Sequence, residues 1–271
     1  MRYKSRVLAS PVKGVYSTHI DSAQRFDRHW HDTFGFGFLE AGAQGWSSGR
    51  GYVRGYPGDV ICTNPGEVHD GIPLGATTRR WRILYMDADA MPAITARDAR
   101  AEIASPVIAD AQLLRALRRL FGRLERWNEG HGDAAALAFE ESLVACSVRL
   151  MGRHGSAPFT NGVVGGELER VRQRLSDDTG SAPALSELAV LAGLSRFQVL
   201  RRFERAYGLP PHAWLLRRRA ESARQMIRGG VALATAAARC GFTDQSHMTR
   251  LFVKQFGYTP GVWRRAWMPV Q

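Results

Sequence analysis

In "DQSHMTRLFVKQFG" (residues 244–257) a helix that buries Met248, Leu251 and Phe252 turns Gln245, Ser246, His247 and Arg250 outward. Glutamine, histidine and arginine can hydrogen-bond the edges of DNA bases, and arginine is the commonest reader of guanine. In "SRFQVLRRFERA" (195–206) the inward positions are Val199, Phe203 and the stem of Arg202, and the outward ones are Phe197, Leu200 and Arg201. Arg201 can read a base edge there, whereas Leu200 offers apolar contact with a thymine methyl and no hydrogen-bond readout. A different chemistry stands near the N-terminus. His29 and His31 of "HWHD" are two residues apart, so a strand places both imidazoles on one face, which permits joint ligation of a metal ion.

Duplicated elements hold the base-reading residues. "FERAYGLPPHAW" lies over "FVKQFGYTPGVW" with Phe203, Gly208, Pro211 and Trp214 matching Phe252, Gly257, Pro260 and Trp263, each 49 residues on. Upstream, "AGLS" and "CGFTD" match at Gly193 and Gly241. Each copy reads as a short helix, a glycine turn and a capped second helix. In the first, Ser186 caps the short helix, Gly193 stops it and Ser195 caps the next; in the second, Asp244 is the cap. This is the helix-turn-helix arrangement, and its turn needs a backbone conformation that a side chain would oppose. Pro211 opens a long helix between the copies and Gly229-Gly230 ends it. On that helix Arg217-Arg218-Arg219 reads as a solvated or phosphate-facing stripe.

The first half has another texture. From about residue 6 to 105, short apolar or alternating runs are cut by glycine and proline, the pattern of an antiparallel sandwich or small barrel. From Asp110 the spacing becomes helical, through Leu113, Leu117, Leu120 and Leu124 and again through Leu137, Leu143 and Leu150, which predicts a helical hairpin over 110–151. The fold class is α+β: residues 1–151 form the sandwich or barrel with its hairpin, 152–163 a linker, and 164–271 an all-α domain. Residues 164–271 carry 17 Lys/Arg against 8 Asp/Glu, while 1–163 carry 20 against 17. A basic unit on a nearly balanced remainder suggests nucleic-acid binding joined to something else. Cys62, Cys146 and Cys240 lie far apart with no CxxC pair, the usage of buried, reduced thiols in a cytoplasmic protein. No signal peptide is read at the N-terminus and no apolar run reaches membrane-spanning length, so no membrane partner is expected.

The duplicated pattern, above all "AARCGFTDQSHMTRLFVKQFGYTPGVWRR", resembles the signature of the AraC/XylS transcriptional regulators over residues 165–267. The resemblance implies a seven-helix DNA-binding domain whose two helix-turn-helix units are joined by one long helix around Trp214–Ile227. Recognition helices then enter successive major grooves, with base reading at Phe197, Leu200, Arg201, Gln245, Ser246, His247 and Arg250; Leu200 stands where the family often has a polar residue. Promoter DNA, RNA polymerase and a small-molecule effector are the implied partners. A homodimer through residues 110–151 is expected as well, with Leu117 and Leu124 at its interface.

"HWHDTFGFGFLEAG" and "YPGDVICTNPGEVHDG" resemble the two stretches of the cupin barrel, the usual sensor half of such regulators. In metal-binding cupins these stretches supply His-x-His, a carboxylate about four residues later and another histidine. His29, His31 and His69 match; the carboxylate position falls near Gly35–Phe36 and is missing, and Glu40 is too far along to replace it. Three histidines can make a zinc or iron site with an open position. The expectation is nonetheless a barrel without metal or other cofactor, whose interior takes the effector. Arg25, His29, His31, Glu67, His69 and Trp81 are the expected ligand-binding residues, with Phe36 and Trp46 beside them. Arginine and histidine favour a carboxylate or phosphate, although sugars and aromatics use the same set. A regulator rather than an enzyme is the reading. The alternative, a metal-dependent cupin enzyme with a helical appendage, is weakened by the missing carboxylate.

Overall fold

The structure is a computed structural model that describes residues 4–49, 51–75, 78–95, 101–130, 132–156 and 166–267. The chain divides into a first unit of residues 1–26 and 31–159 and a second of residues 27–30 and 160–271.

The first part of the chain runs β1 (Lys4–Ala9), β2 (Val15–Ser22), β3 (Phe26–His29), β4 (Thr33–Ala41), β5 (Ala43–Ser48), β6 (Gly51–Gly55), β7 (Val60–Thr63), β8 (His69–Leu74), β9 (Arg79–Asp87), α1 (Ala90–Thr95), β10 (Glu102–Ile103), β11 (Val107–Ile108), α2 (Ala111–Asn128), α3 (Gly132–His154) and β12 (Gly155–Ser156). One sheet has the order β1-β2-β9-β4-β7-β11, another the order β3-β8-β5-β6, and β10 pairs with β12. The α+β class expected from the sequence is therefore met.

Alternation along the strands assigns each sheet face its work. Phe34, Phe36 and Phe38 of β4 stand opposite Met86, Leu84 and Arg82 of β9, while Cys62 and Val60 of β7 lie beside Phe36 and Phe38. Leu84, Met86 and the three phenylalanines pack with Leu113, Leu117, Leu120, Phe121 and Leu124 of α2 and with Phe139, Leu143, Cys146 and Leu150 of α3 in one core. Two expectations are corrected here. Leu117 and Leu124 are fully enclosed in this core, so they are not free to meet a second copy; Phe36 belongs to it too, and does not line the barrel interior. The large apolar side chains that the hairpin exposes are Leu137, Val144 and Val148 of α3.

Asp110 caps α2 by accepting hydrogen bonds from the backbone N–H groups of Gln112 and Leu113, both at 2.9 Å. His154, at the far end of α3, lies 3.1 Å from the other carboxylate oxygen and ties the two helices. Helix α3 continues to His154, and β12 still belongs to this unit, so the segment expected as a linker begins as ordered structure; residues 157–163 of it lie outside the described residues.

The second unit is helical: α4 (Gly166–Asp177), α5 (Leu185–Ala192), α6 (Arg196–Tyr207), α7 (Pro211–Arg228), α8 (Leu233–Arg239), α9 (Gln245–Phe256) and α10 (Pro260–Trp267). The repeated residues are its cores. Phe203 meets Trp214 edge-on at 6.3 Å, while Phe252 packs on Tyr258 and Tyr258 on Trp263, each at 5.8 Å. Pro211 occupies the first turn of α7, where its missing N–H costs nothing, and Gly229 follows the last turn. Ser186 is not a cap: α5 begins at Leu185 after Ala184, with no side-chain cap. No described helix is long and apolar enough to cross a membrane. The three cysteines are free and buried, and burial pushes the Cys146 thiol up to about 12.

Candidate nucleic-acid interface and effector barrel

Helix α6 starts in a capping box. Ser195 Oγ accepts from the Gln198 N–H, and Gln198 Oε1 accepts from the Ser195 N–H at 2.9 Å, so two orphan donors of the helix end are satisfied. Before it, Gly193 closes α5 at φ +64°. Val199 and Phe203 are fully buried, which leaves Phe197, 79% exposed, and Arg201 on the outer face with Leu200 half-buried between them. Arg202 does not lay its stem inward as expected; it is exposed, 4.0 Å from Glu167.

Helix α9 repeats the design. Asp244 Oδ1 accepts from the His247 N–H at 2.7 Å. Met248 and Phe252 are buried, and Gln245, Ser246 and Arg250 are exposed. His247 is half-buried, its ring edge-on to Phe242 at 5.5 Å, so that its orientation is set by packing. The turn ahead of α9 is tight. At Gly241, φ is +71° and an added Cβ would lie 2.5 Å from the Gly180 carbonyl oxygen.

Residues of the long helix build this support, in roles that the sequence did not assign them. Arg219 of α7 donates to the carbonyl oxygens of Thr179 and Gly241, both at 2.6 Å, and so pins the second turn to the long helix. Arg217 and Arg219 are both buried, which corrects the reading of 217–219 as a solvated stripe. One turn along α7, Glu221 and Arg224 form a wholly buried ion pair at 2.9 Å, and Trp263 Nε1 donates to the Arg224 carbonyl. The Arg224 guanidinium lies over Phe256 of α9 and Trp263 of α10. An acid and a base three residues apart on a helix usually suggest a surface pair; only the apolar residues around them mark this one as internal.

In the barrel, β3 is hydrogen-bonded beside β8, and this pairing brings His29 to His69. His29, His31 and His69 are all buried, with candidate ligand atoms all within 4.8 Å of one another. The Nδ1 atoms of His29 and His69 lie 2.6 and 2.9 Å from the backbone carbonyl oxygens of Asp27 and Glu67. Burial lowers the His69 pKa, against the opposing pull of the Glu67 carbonyl and of the acids Glu67 and Asp70. The His31 ring stands 5.4 Å from that of His69 and 5.6 Å from Tyr85. One carboxylate oxygen of Glu67 accepts from both the backbone and the side-chain amide of Asn64 at 3.1 Å; the other is buried with no hydrogen-bond partner.

Of the remaining expected residues, Trp81 and Trp46 are buried, whereas Arg25 is exposed and the structure does not bring it to the histidines. The arginine inside is Arg79, which the sequence reading missed. It is 1% exposed, donates through Nε to Gln44 at 2.6 Å and through Nη1 to the Gln24 carbonyl, and lies over Trp81 at 4.9 Å. Burial lowers it to about 10. A signal existed: in "RRWR" strand alternation puts Arg79 on the same face as the buried Trp81.

Both halves have relatives. A family model described as an AraC-like ligand binding domain matches residues 14–144, and one described as a helix-turn-helix domain matches residues 188–266. The chain is 27% identical over 232 residues to the HTH-type transcriptional regulator YbfI of Bacillus subtilis (strain 168), across 83% of this chain and 82% of that protein. It is 32% identical over 135 residues to the transcriptional activator NphR of Rhodococcus sp, 49% of this chain but only 37% of that protein. Among solved structures, an apo ToxT variant from Vibrio cholerae strain SCE256 matches 96% of this chain and all of its own length, with a TM-score of 0.60 and 9% identity, a likeness of fold alone. A sensor-type barrel followed by two capped recognition helices on one long helix, each half matched by its own family model, places this chain in the AraC/XylS family of transcriptional regulators.

Proposed function

We propose that the chain regulates transcription in response to a small molecule, reading promoter DNA with α6 and α9 and binding the effector inside the barrel. The observation that carries this is the pair of exposed first turns, Phe197 to Arg201 and Gln245 to Arg250, each fixed from behind by buried phenylalanines and a capped N-terminus. Recognition helices present their early residues to the major groove in this way. The base readers are Arg201, Gln245, Ser246, His247 and Arg250, with Phe197 and Leu200 as apolar contacts. His29, His31, Glu67, His69 and Trp81, with Arg79, serve the effector.

Two copies pair through the outer face of α3, where Leu137, Val144 and Val148 are exposed along one stripe. Such pairing matches repeated half-sites on DNA. RNA polymerase at the bound promoter and a cytoplasmic setting, where the thiols stay reduced, complete the reading. The test is the affinity of the whole protein for its own promoter region as salt is raised. Binding should weaken with a slope of about −0.9 per neutralised phosphate. Affinity that is flat in salt, or equal for every sequence in a randomised-site library, overturns it.

A further inference from the structure

We propose that the helical hairpin is self-complementary: α2 of one copy lies on α3 of a second copy of this chain, arginine against glutamate, and the same contact is made with the copies exchanged. This rests on the pairing of two copies through the outer face of α3 and names what covers that face. Positive charge in the first half is concentrated on α2. Residues 111–128 carry five arginines against one glutamate, whereas residues 1–163 as a whole carry only three more basic than acidic residues. Arg115, Arg118 and Arg119 are exposed, three and four positions apart, and none has an acid partner among the described residues. Like charges at this spacing repel one another across a helix face, so the cluster destabilises α2 unless a counter-charge meets it. Gly122 stands on the same face, with open space where a Cβ would lie. Glycine inside a helix is less favourable than alanine, and no neighbour within this copy requires it here. The close approach of another helix does.

The complement is on α3. Leu137, Glu140, Glu141, Val144 and Val148 follow the spacing of one helix face, and all are exposed. Glu140 and Glu141 have no basic partner among the described residues. Laying α3 on the partner's α3 would cover the apolar side chains but gather the glutamates of both copies in one seam, and like charges set against each other are costly. Laying it on the partner's α2 covers the same side chains and gives the glutamates arginines. The hairpin itself sets the level of this contact. Arg123 donates to the Ala138 carbonyl at 2.7 Å, and His154 stands 3.1 Å from Asp110, so Gly122 is level with Glu140 to within a turn. A two-fold axis running along the hairpin keeps these levels and makes the contact twice. Glu140 and Glu141 of one copy then meet the gap at Gly122 of the other, about one helical turn, 5.4 Å, from Arg118 and Arg119. An extended arginine side chain spans that distance.

The experiment is the self-association of the full-length protein, followed by analytical ultracentrifugation over a range of concentration and salt. Wild type should form a dimer that weakens as salt is raised, because its ion pairs lie near the surface. Arg118→Glu with Arg119→Glu in one variant, and Glu140→Arg with Glu141→Arg in a second, should each weaken the dimer at least about tenfold, since like charges then face one another at both contacts. Mixed in equal amounts, the two variants should form a heterodimer as tight as wild type, since each contact again sets arginine on glutamate. Gly122→Leu should stay folded by circular dichroism and dissociate more readily. An α2 variant that dimerises as wild type does, or a mixture no tighter than either variant alone, overturns the proposal. So does an α2 variant that stays dimeric and loses promoter affinity instead, which would make the arginine face a DNA contact. Wild type that is monomeric in every condition overturns the pairing of two copies itself, and a monomer that still binds its promoter leaves the regulator reading standing.

Discussion

Arg201 and Arg250 occupy matching outer positions on α6 and α9, and both are exposed. A bidentate arginine contact discriminates between bases by about 1–3 kcal/mol. Arg201→Ala should therefore erase preference at a single base, guanine being the one arginine most commonly reads, and Arg250→Ala at another about one helical turn away. A randomised-site library separates this from phosphate contact, whose loss weakens all sequences alike and lowers the salt slope. Uniform weakening with Arg201→Ala would remove it from the base readers. The two turn glycines make a second contrast. Both have positive φ, so a side chain costs about 1–2 kcal/mol at either. At Gly193 nothing lies within 4 Å of an added Cβ, whereas at Gly241 it would press on the Gly180 carbonyl and the Arg219 guanidinium. Urea denaturation should show Gly241→Ala as clearly the more destabilising; equal losses would mean that the Arg219 clamp is loose.

Helix ends and faces carry the next predictions. Asp110 is held down to about 2, first by the Leu113 N–H and then by His154. Its folded pKa lies below the ordinary carboxylate value of about 3.9, so its contribution is complete above that value and is lost as pH falls toward 2. Stability measured against pH should fall in that window for wild type and much less for Asp110→Asn; identical profiles would refute the assignment. On the same hairpin, Leu137→Arg with Val144→Arg should give folded monomers by light scattering, while Leu117→Arg should unfold the first unit, because its side chain lies in the core. A double variant that still runs as a dimer moves the interface elsewhere. The helix pattern alone could not rank these leucines: 117 and 137 both obey helical spacing, and which one is covered depends on where the six-stranded sheet lies.

At the scale of the molecule, charge is segregated. The excess of Lys/Arg over Asp/Glu sits mainly in residues 164–271. Several of those arginines, among them Arg219 and Arg224, are buried and structural, so the count overstates the charge available to phosphates. The salt slope of promoter binding should accordingly fall short of one phosphate for each of the 17 basic residues of that segment. A slope as steep as the full count would put buried arginines on the DNA.

The sequence by itself determined the local and periodic features. Capped helices at Ser195 and Asp244, stops at Gly193 and Gly229, the duplicated cores around Phe203 and Phe252, and a strand-rich first half all depend on neighbours within a few residues or on a repeat visible in one line of text. Tertiary structure decided whatever depends on distant pairing. Strand β3 lies beside β8, and this puts His29 against His69, 40 positions further on. The closing of the barrel hides Arg79 while leaving Arg25 outside, although both are arginines of the strand-rich half. The packing of α7 against the second turn makes Arg219 a clamp rather than a phosphate contact. In each case residue type and spacing permit two environments, and only the element packed opposite selects between them.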